Sequence, residues 1–420
     1  MRFLYTLILY LLAPLAPLRL AWRGLRAPAY FRRWPERIGF FPPLPATGTI
    51  WVHAVSMGEA QAAIPLIRVL RARYPGVPVL VTTMTPTGSQ RVREAFDGEV
   101  LHVYAPYDLP GAVRRFLERA RPRLAVIMET EIWPNLFHHC HRRGIPIILA
   151  NARLSQRSAA GYGRFARFTR ETLEYISVIA AQGEADAERF IALGADPDRV
   201  SVTGSIKFDV KLPASLREQA EVLRRDWGVD RPIWIAASTH EGEEELILEA
   251  FALLRRQVPN CLLVLVPRHP ERFSRVAALC ARRGYRIVQR SEGCPCAPDT
   301  DIFIGDTMGE LPLFYAASDV AFVGGSLVPV GGHNPLEPAA LGLPILTGPH
   351  VFNFEEITRM LREAGALWLV RDAQELAAAL ETYFRDASLR HANGEKGRMV
   401  VENNRGALHR LLEIVTAYVE

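Results

Sequence analysis

The stretch that decides the fold runs from Asp319 to His350 and reads DVAFVGGSLVPVGGHNPLEPAALGLPILTGPH. It contains a short apolar run, Ala321 to Val323, which is typical of a buried strand and ends at Gly324-Gly325. A second glycine pair, Gly331-Gly332, leads into a helix that begins with a proline, Pro335. Because glycines let the backbone approach a ligand closely, this order of strand, turns and helix predicts a ligand site.

Two interpretations of Glu337, in the first turn of that helix, are open from these residues. A helix N-terminus favours negative charge, so a phosphate would suit it, and the Glu337 carboxylate would accept two ribose hydroxyls. Alternatively, the glycines only make turns and Glu337 only complements the helix dipole.

Outward from this stretch, short apolar segments alternate with helical ones from Thr49 onward. A polar stretch from Lys207 to Asp230 interrupts the alternation. The pattern predicts two Rossmann-like units, each with a doubly wound parallel sheet, and therefore ligands at the carboxyl ends of the strands. Strands are predicted to begin near Ile50, Val77, Val100, Leu124, Ile145, Ser177 and Val200, and then near Ile233, Leu262, Arg286, Ile302, Val320, Pro344 and Trp368.

The composition is that of a folded protein of two ordinary domains: 420 residues, 49% hydrophobic and 23% charged. The five cysteines are odd in number and lack paired CxxC spacing, which favours a reducing compartment over a disulfide framework. The net charge of +5 is modest, but the basic residues are unevenly placed along the chain.

The N-terminus predicts a membrane anchor. Phe3 to Leu18 is almost wholly apolar, and arginines follow at once, which places the downstream chain in the cytoplasm. Because the run falls short of the roughly twenty residues that a bilayer requires, a short signal anchor and a helix lying in the interface are both open. Without a nucleic-acid motif, the basic cluster favours a membrane surface. The cluster consists of Arg19, Arg23, Arg26, Arg32, Arg33 and Arg37.

Three acidic residues and one lysine of the first half follow predicted strands. Glu59 lies just past the strand that begins near Ile50, where a carboxylate would act as a general base or complement a helix dipole. Glu129 and Glu131 follow the strand beginning near Leu124; strand periodicity predicts that they point to the same side, and capping of the next helix is the alternative. Lys207 would offset charge on a departing phosphate or remain a solvated linker residue.

In the second half, Arg268 and His269 end one strand, and the segment Met308-Gly309-Glu310 follows another. Together they would hold a nucleoside monophosphate. Ser238 to Glu241 would form a further wall of this site or a helix cap. The Asp-x-Asp triplets at 196–198 and 299–301 precede strands and are interpreted as loop acids, so we expect no metal and no cofactor.

Several ordered segments resemble one family. The sequence is similar throughout to the 3-deoxy-D-manno-oct-2-ulosonic acid (Kdo) transferases of lipopolysaccharide assembly, and its donor end to GT-B glycosyltransferases, whose two Rossmann-like domains face each other across a cleft. The segments are HAVSMGE (53–59), TTMTPTGSQ (82–90), METEIWPN (128–135), NARLSQRS (151–158), TGSIKFD (203–209), STHEGEE (238–244), PRHPERF (267–273), GDTMGEL (305–311) and GGHNPLE (331–337).

The resemblance implies an inverting enzyme that moves Kdo from CMP-Kdo to a lipid A precursor, lipid IVA, at the cytoplasmic side of the inner membrane. Glu59 matches the family's proton acceptor, and Glu129 and Lys207 match residues that support the transition state. The residues that match the family's CMP contacts are Arg268, His269, Met308, Gly309, Glu310, Asn334, Pro335, Leu336 and Glu337.

The domain organisation predicted from these patterns and from the resemblance has five parts. They are a membrane anchor (1–25), an acceptor-binding domain (26–206), a linker (207–230), a CMP-Kdo-binding domain (231–393) and a C-terminal helix that crosses back (394–420). Two other functions stay open: a GT-B transferase or epimerase that uses a UDP-sugar, and a membrane-anchored sugar-nucleotide binder without catalysis.

Overall fold

The structure, a computed structural model, describes residues 1–44, 47–210 and 212–419, with Arg26 described by its backbone alone. The Arg26 side chain of the predicted basic cluster, and Lys211 and Glu420 of the predicted linker and final helix, therefore lie outside the described residues. The chain divides into two compact units. Unit 1 comprises Met1–Asp209 and Arg405–Glu420, and unit 2 comprises Val210–Asn404.

Unit 1 is built on a seven-stranded parallel sheet with the strand order β3-β2-β1-β4-β5-β6-β7. Successive side chains of a strand point to opposite faces, and both faces are buried under helices. The strands are β1 (Thr49–His53), β2 (Val79–Thr83), β3 (Leu101–Tyr104), β4 (Pro122–Met128), β5 (Ile147–Ala152), β6 (Val178–Ala181) and β7 (Val200–Val202).

In the part of unit 1 that the structure describes, nine helices precede the crossing into unit 2. Proline occupies the first helical position of α4, α5 and α6, where its missing N–H leaves no hydrogen bond unmade. The helices are α1 (Arg2–Leu12), α2 (Leu15–Arg26), α3 (Met57–Arg73), α4 (Pro86–Phe96), α5 (Pro110–Ala120), α6 (Pro134–His141), α7 (Gln156–Gly163), α8 (Ala166–Leu173) and α9 (Glu184–Ala192).

Unit 2 contains a second seven-stranded parallel sheet, with the order β10-β11-β9-β8-β12-β13-β14. The prediction of two parallel α/β sheets is confirmed, and each predicted strand begins within two residues of an observed one. The strands are β8 (Ile233–Thr239), β9 (Leu262–Pro267), β10 (Ile287–Gln289), β11 (Ile302–Ile304), β12 (Val320–Val323), β13 (Ile345–Thr347) and β14 (Leu367–Leu369).

Among the described residues of unit 2, eight helices accompany this second sheet. The first of them lies within the stretch 207–230 that was predicted as a linker, and its Ala220, Leu223 and Trp227 are buried in the core of unit 2. The helices are α10 (Leu216–Trp227), α11 (Glu243–Arg255), α12 (Phe273–Arg282), α13 (Leu311–Ala316), α14 (Leu336–Ala340), α15 (Glu355–Glu363), α16 (Ala373–Arg385) and α17 (Ala387–Asn403).

The N-terminal apolar run is bent, and the prediction of one membrane-anchoring helix is not confirmed. The apolar run forms α1 and α2, which meet at an angle of 49°, because Pro14 removes a backbone donor where one helix would have continued. Among the described residues no single helix is long and apolar enough to cross a membrane. Taken together as a bent pair, α1 and Leu15–Leu25 have the length and the apolar composition of a membrane span.

The helix α1 is attached to unit 1 by polar contacts. Tyr5 donates its hydroxyl hydrogen bond to Asp108 over 2.9 Å, and the Thr6 hydroxyl donates to the Asn135 side chain over 3.0 Å. The Asp108 carboxylate also accepts from the backbone N–H groups of Asn135 and Leu136, at the start of α6. The N-terminal segment therefore helps to fix the start of α6.

The final helix predicted from about Gly394 to Tyr418 is two helices, α17 and α18 (Ala407–Val419). The chain turns at Gly406, whose positive φ of 86° ends the helical path. The Asp209 carboxylate accepts from the N–H groups of Gly406 and Leu408, at 2.7 and 2.6 Å. Because α18 then packs into the core beneath β4 and β5, it belongs to unit 1, whereas α17 belongs to unit 2.

Replacing Asp209 by Ala should destabilise α18 by about 1 to 2 kcal/mol, because two N–H groups at a helix start lose their acceptor. Amide hydrogen exchange in α18 measures this free energy of opening. Asp196→Ala is the matched control, since the partners of Asp196, the N–H of Asp198 and the Arg199 side chain, lie within its own exposed turn. Unchanged exchange in α18 of Asp209→Ala would show that the core contacts alone hold this helix.

Candidate active site

Glu59 is buried at the point where β1 passes into α3. One carboxylate oxygen accepts from the backbone N–H of Val55 and the other from the hydroxyl of Ser56, both at 2.8 Å. Ser56 in turn caps α3 by accepting from the Glu59 N–H at 3.2 Å. Glu59 therefore lies in the first turn of α3, where its charge also complements the helix dipole, and these hydrogen bonds fix the carboxylate in one orientation.

The environment of Glu59 makes its carboxylate a stronger base than usual. Burial raises the pKa of Glu59 to about 7, and the negative charges of Glu131 and Glu129 add to this rise, while the hydrogen bonds from Ser56 and Val55 oppose it. A carboxylate whose pKa lies near neutrality suits general-base chemistry, because it is both available and basic at the working pH.

Glu129 and Lys207, predicted separately, form an ion pair with 2.9 Å between Nζ and Oε1. The argument from strand periodicity for Glu129 and Glu131 is wrong, because β4 ends at Met128 and Glu129 has a left-handed backbone with φ of 56°. Glu131 instead accepts from the Trp133 indole at 2.7 Å. Burial raises the pKa of Glu131, and the neighbouring Glu129 charge adds to the shift.

Strained backbone marks the strand ends in both units. Besides Glu129, Asn151 at the end of β5 and Ser238 near the end of β8 have positive φ values, 53° and 57°. Such conformations cost energy in residues other than glycine and persist where the surroundings impose them, often at functional sites. The Asn151 side chain uses its position to accept from the N–H of Ile206, the residue before Lys207.

His53 was not singled out from the sequence. It is fully buried at the end of β1, with Nδ1 2.8 Å from the Thr82 hydroxyl, and its ring meets Trp133 edge to face at 5.0 Å. Burial lowers the pKa of His53 to about 3, so the ring is neutral. It connects β1 with the loop that carries Glu131, and its apolar sequence neighbours gave no signal of this contact.

In unit 2 a buried carboxylate organises the glycine turn after β12. Glu243, the first residue of α11, is fully buried and accepts from three consecutive N–H groups, those of Gly325, Ser326 and Leu327, at 2.7 to 3.0 Å. It also accepts from the N–H of His240 at 3.2 Å. One side chain thereby fixes two of the segments that were predicted to surround the donor.

The predicted donor-binding residues from the middle of unit 2 differ in whether their side chains are free to contact a ligand. Arg268 and His269 follow β9 and are exposed, so both are available to an anion. Gly309 has a φ of 86° and follows the exposed Met308. Because glycine has no side chain, a ligand can approach the backbone at this turn. The Glu310 carboxylate is held by Arg290 at 2.7 Å, and this hydrogen bond lowers its pKa.

The glycine stretch supplies a further carboxylate. Glu337 is partly buried; burial raises its pKa, and a hydrogen bond from Asn334 opposes the rise. Asn334 also accepts from the N–H of Leu336 at 3.1 Å, which caps the helix start. The expected helix dipole is small, because α14 has only five residues and α13 only six. Side chains and turn N–H groups, more than helix ends, thus define this surface.

The acidic triplets are occupied by other interactions. Asp196 accepts from the N–H of Asp198 and lies 3.6 Å from Arg199, while Asp299 pairs with Arg286 and Asp301 with Arg255. Within the described ranges no group of three or more histidine, cysteine or acidic side chains is placed to hold a metal ion.

Comparison with known proteins decides the family. Residues 32–210 match the family model of the 3-deoxy-D-manno-octulosonic-acid transferases, and residues 234–400 match that of glycosyl transferases group 1. The 3-deoxy-D-manno-octulosonic acid transferase of Haemophilus influenzae is 44% identical over 100% of this chain and 99% of its own length. The chain belongs to this family. It is a glycosyltransferase.

Two further comparisons agree with this assignment. The 3-deoxy-D-manno-octulosonic acid transferase of Bordetella pertussis is 39% identical, with 98% of each chain covered. The crystal structure of UDP-GlcNAc 2-epimerase from Neisseria meningitidis shares the fold, with a TM-score of 0.54 over 88% of this chain and 99% of its own, at 13% identity. The predicted Kdo transferase family is confirmed, and the likeness to the epimerase shows the fold alone.

Replacing Glu243 by Gln should destabilise unit 2 by about 2 to 4 kcal/mol, because an amide N–H would face backbone N–H donors that are buried. Denaturant unfolding monitored in unit 2 measures the loss. Glu245→Gln, an exposed change in the same helix, is the control and should leave stability unchanged. Equal stability of the two variants would mean that the turn after β12 holds without this carboxylate.

Proposed function

We propose that the protein transfers Kdo from CMP-Kdo to a lipid A precursor with inversion at the anomeric carbon. The observation that carries the proposal is the buried Glu59, which two hydrogen bonds orient and whose pKa burial raises to about 7. In this reaction Glu59 takes the proton of the acceptor hydroxyl as its oxygen attacks the anomeric carbon of Kdo from the face opposite CMP.

The other site residues of unit 1 support that step. Glu129, which forms an ion pair with Lys207, interacts electrostatically with Glu59, because its negative charge contributes to the raised pKa of Glu59. The pair keeps Lys207 oriented, and with Glu129 it stabilises charge that develops on the sugar and the departing phosphate. Glu131, held by the Trp133 indole, keeps the pKa of Glu59 high.

Unit 2 holds the donor. The exposed Arg268 and His269 meet the phosphate, the turn at Met308 and Gly309 approaches the nucleotide, and Glu337 accepts the ribose hydroxyls. The family to which the chain belongs, and the relatives named for 3-deoxy-D-manno-octulosonic acid transfer, support Kdo as the transferred sugar. A monophosphate leaving group carries less negative charge than a diphosphate. Cationic side chains are therefore sufficient to stabilise it in this proposal.

The direct test is incubation of the purified protein with CMP-Kdo and a tetraacylated lipid A precursor, followed by mass spectrometry. A mass increase of one or more Kdo units is the expected result. Parallel incubations with UDP-sugars should give none, and thermal shift should respond to CMP but not to UDP. Transfer from a UDP-sugar, or binding of UDP in place of CMP, would contradict the donor assignment.

Replacing Glu59 by Gln should lower single-turnover transfer about 10² to 10⁴-fold, because the amide keeps the shape but cannot accept the proton. CMP affinity should be unchanged. Wild-type transfer should rise with pH through about 7, where Glu59 ionises, and then level off, whereas the residual rate of the variant should lack this rise. Glu184→Gln, an exposed acid in the first turn of α9, is the matched control. Near-normal transfer by Glu59→Gln would move the base to Glu129 or Glu131.

We propose further that α1 and α2 attach the protein to the cytoplasmic face of the inner membrane. These helices expose a series of large apolar side chains, and Arg19 and Arg32 of the basic cluster are exposed as well, an arrangement that suits an anionic lipid surface. Two other members of the cluster do not contribute, because Arg37 is buried and Arg33 is paired with Glu36. The most exposed apolar side chains are Phe3 at 83%, Leu25 at 79%, Leu11 at 71% and Leu18 at 65%.

Changing Phe3, Leu11 and Leu18 together to Ser should weaken binding to anionic vesicles at least about a hundredfold, because each apolar side chain loses its transfer free energy. The contacts of Tyr5 and Thr6 with unit 1 stay intact in this variant. Flotation with vesicles measures binding. A triple Ser variant at exposed apolar positions of unit 2, Val222, Val229 and Met399, is the control. Vesicle binding that survives in the first variant would exclude the helix pair as the anchor.

A further inference from the structure

Two histidines of unit 2 meet head to head. The Nε2 atoms of His240 and His333 are 2.8 Å apart, while the ring centroids are 5.1 Å apart and the ring planes differ by only 7°. Because the nitrogens are much closer than the centroids and the rings are nearly parallel, the rings meet edge to edge and not face to face. A single N–H must therefore lie between the two nitrogens, donated by one ring to the other.

The pair lies between segments that are assigned to the donor. The His240 ring stands nearly perpendicular to that of His269, at 5.4 Å, and His333 directly precedes Asn334. Gly325, with a φ of 68°, passes over the junction: a Cβ atom there would be 3.0 Å from the His333 ring and 3.3 Å from that of His240. The glycine leaves the room that the two rings occupy.

The charges that face the pair are mainly positive. Burial lowers the pKa of His333 to about 3 and that of His240 to about 4, and the charges of Arg268 and His269 add to both shifts, with Arg272 acting on His240 as well. The Glu243 carboxylate accepts from the backbone N–H of His240 and from the turn after β12. Without a ligand the pair is therefore neutral at pH 7. The negative charge of an anion bound beside the pair would raise its pKa.

The chemistry of the pair allows one added proton and opposes a second. In the neutral pair one outward Nδ1 is a donor and the other an acceptor. One proton on the acceptor gives an imidazolium that keeps the inner hydrogen bond and makes both Nδ1 atoms donors. A second proton would place two N–H groups face to face and two positive charges in contact. The two rings thus titrate as one unit.

We propose that the His240–His333 pair is an anion-receiving element of the donor site, which takes up one proton when a nucleoside monophosphate group binds and holds that positive charge against its phosphate. The inference rests on the proposed function, because it takes a CMP-sugar as the donor. When the bond between the sugar carbon and the phosphate oxygen breaks, the electron pair stays on that oxygen. The protonated pair stabilises the new charge by hydrogen bonding and releases its proton when CMP leaves.

The test is calorimetric titration of the full-length protein with CMP at pH 7 in buffers of different ionisation enthalpy, which gives the number of protons taken up. The wild type should take up a net fraction of one proton. The double variant His240→Gln, His333→Gln keeps an N–H···O bond across the junction but cannot be protonated. It should lose this uptake and bind CMP about 10- to 100-fold more weakly at pH 6, with a smaller difference at pH 8.5.

The controls separate this inference from the proposed function. CMP has its own ionisation near pH 6, so proton uptake is compared between wild type and variant over a series of pH values from 6 to 8.5, at the upper end of which free CMP is fully ionised. His391→Gln, at an exposed position of α17, should behave as wild type. Wild-type CMP binding without proton uptake, uptake that persists in the double variant, or unchanged CMP affinity of that variant would each overturn the role of the pair while leaving the donor site in place. Failure of the wild type to bind CMP would overturn both.

Discussion

The glycine turn of unit 2 depends on the buried Glu243 carboxylate. A turn at the end of a parallel strand leaves backbone N–H groups without partners, and leaving them buried and unpaired is costly. Glu243 satisfies four of them at once and so joins the turn after β12 to the end of β8. Unit 1 uses the same solution: Glu59 accepts from Val55, and Asp108 accepts from the first residues of α6.

This structural use of carboxylates prepares one of them for chemistry. Burial raises the pKa of both Glu59 and Glu243, but the surroundings differ. Glu243 is surrounded by four backbone donors, whereas Glu59 has one backbone donor, one hydroxyl and the like charges of Glu131 and Glu129. The former is a structural acceptor, and the latter retains a proton affinity near neutrality. The same residue type therefore stabilises a turn in unit 2, whereas in unit 1 it is the base of the proposed reaction.

The surface of unit 2 to which the donor is assigned in the proposed function has the opposite electrostatic character. Arg268 and His269 are exposed, the Glu310 carboxylate is neutralised by Arg290, and the His240–His333 pair is kept neutral by burial. Apart from Glu337, whose pKa is raised by burial, the side chains named for this surface are cationic, neutral or already paired, which favours a phosphate. In the proposed reaction, unit 1 supplies the base and unit 2 supplies the groups that bind the anion.

The sequence by itself determined the two parallel sheets, because alternating apolar strands and helical segments bury both faces of a sheet whatever the remaining details are. It also placed Glu59, Glu129 and Lys207, since strand ends lie at one edge of such a sheet. Only the tertiary structure decided which side chains pair: Lys207 with Glu129, Asp209 with the start of α18, and His240 with His333. These partners are distant in the chain, and local periodicity carries no information about which distant groups meet.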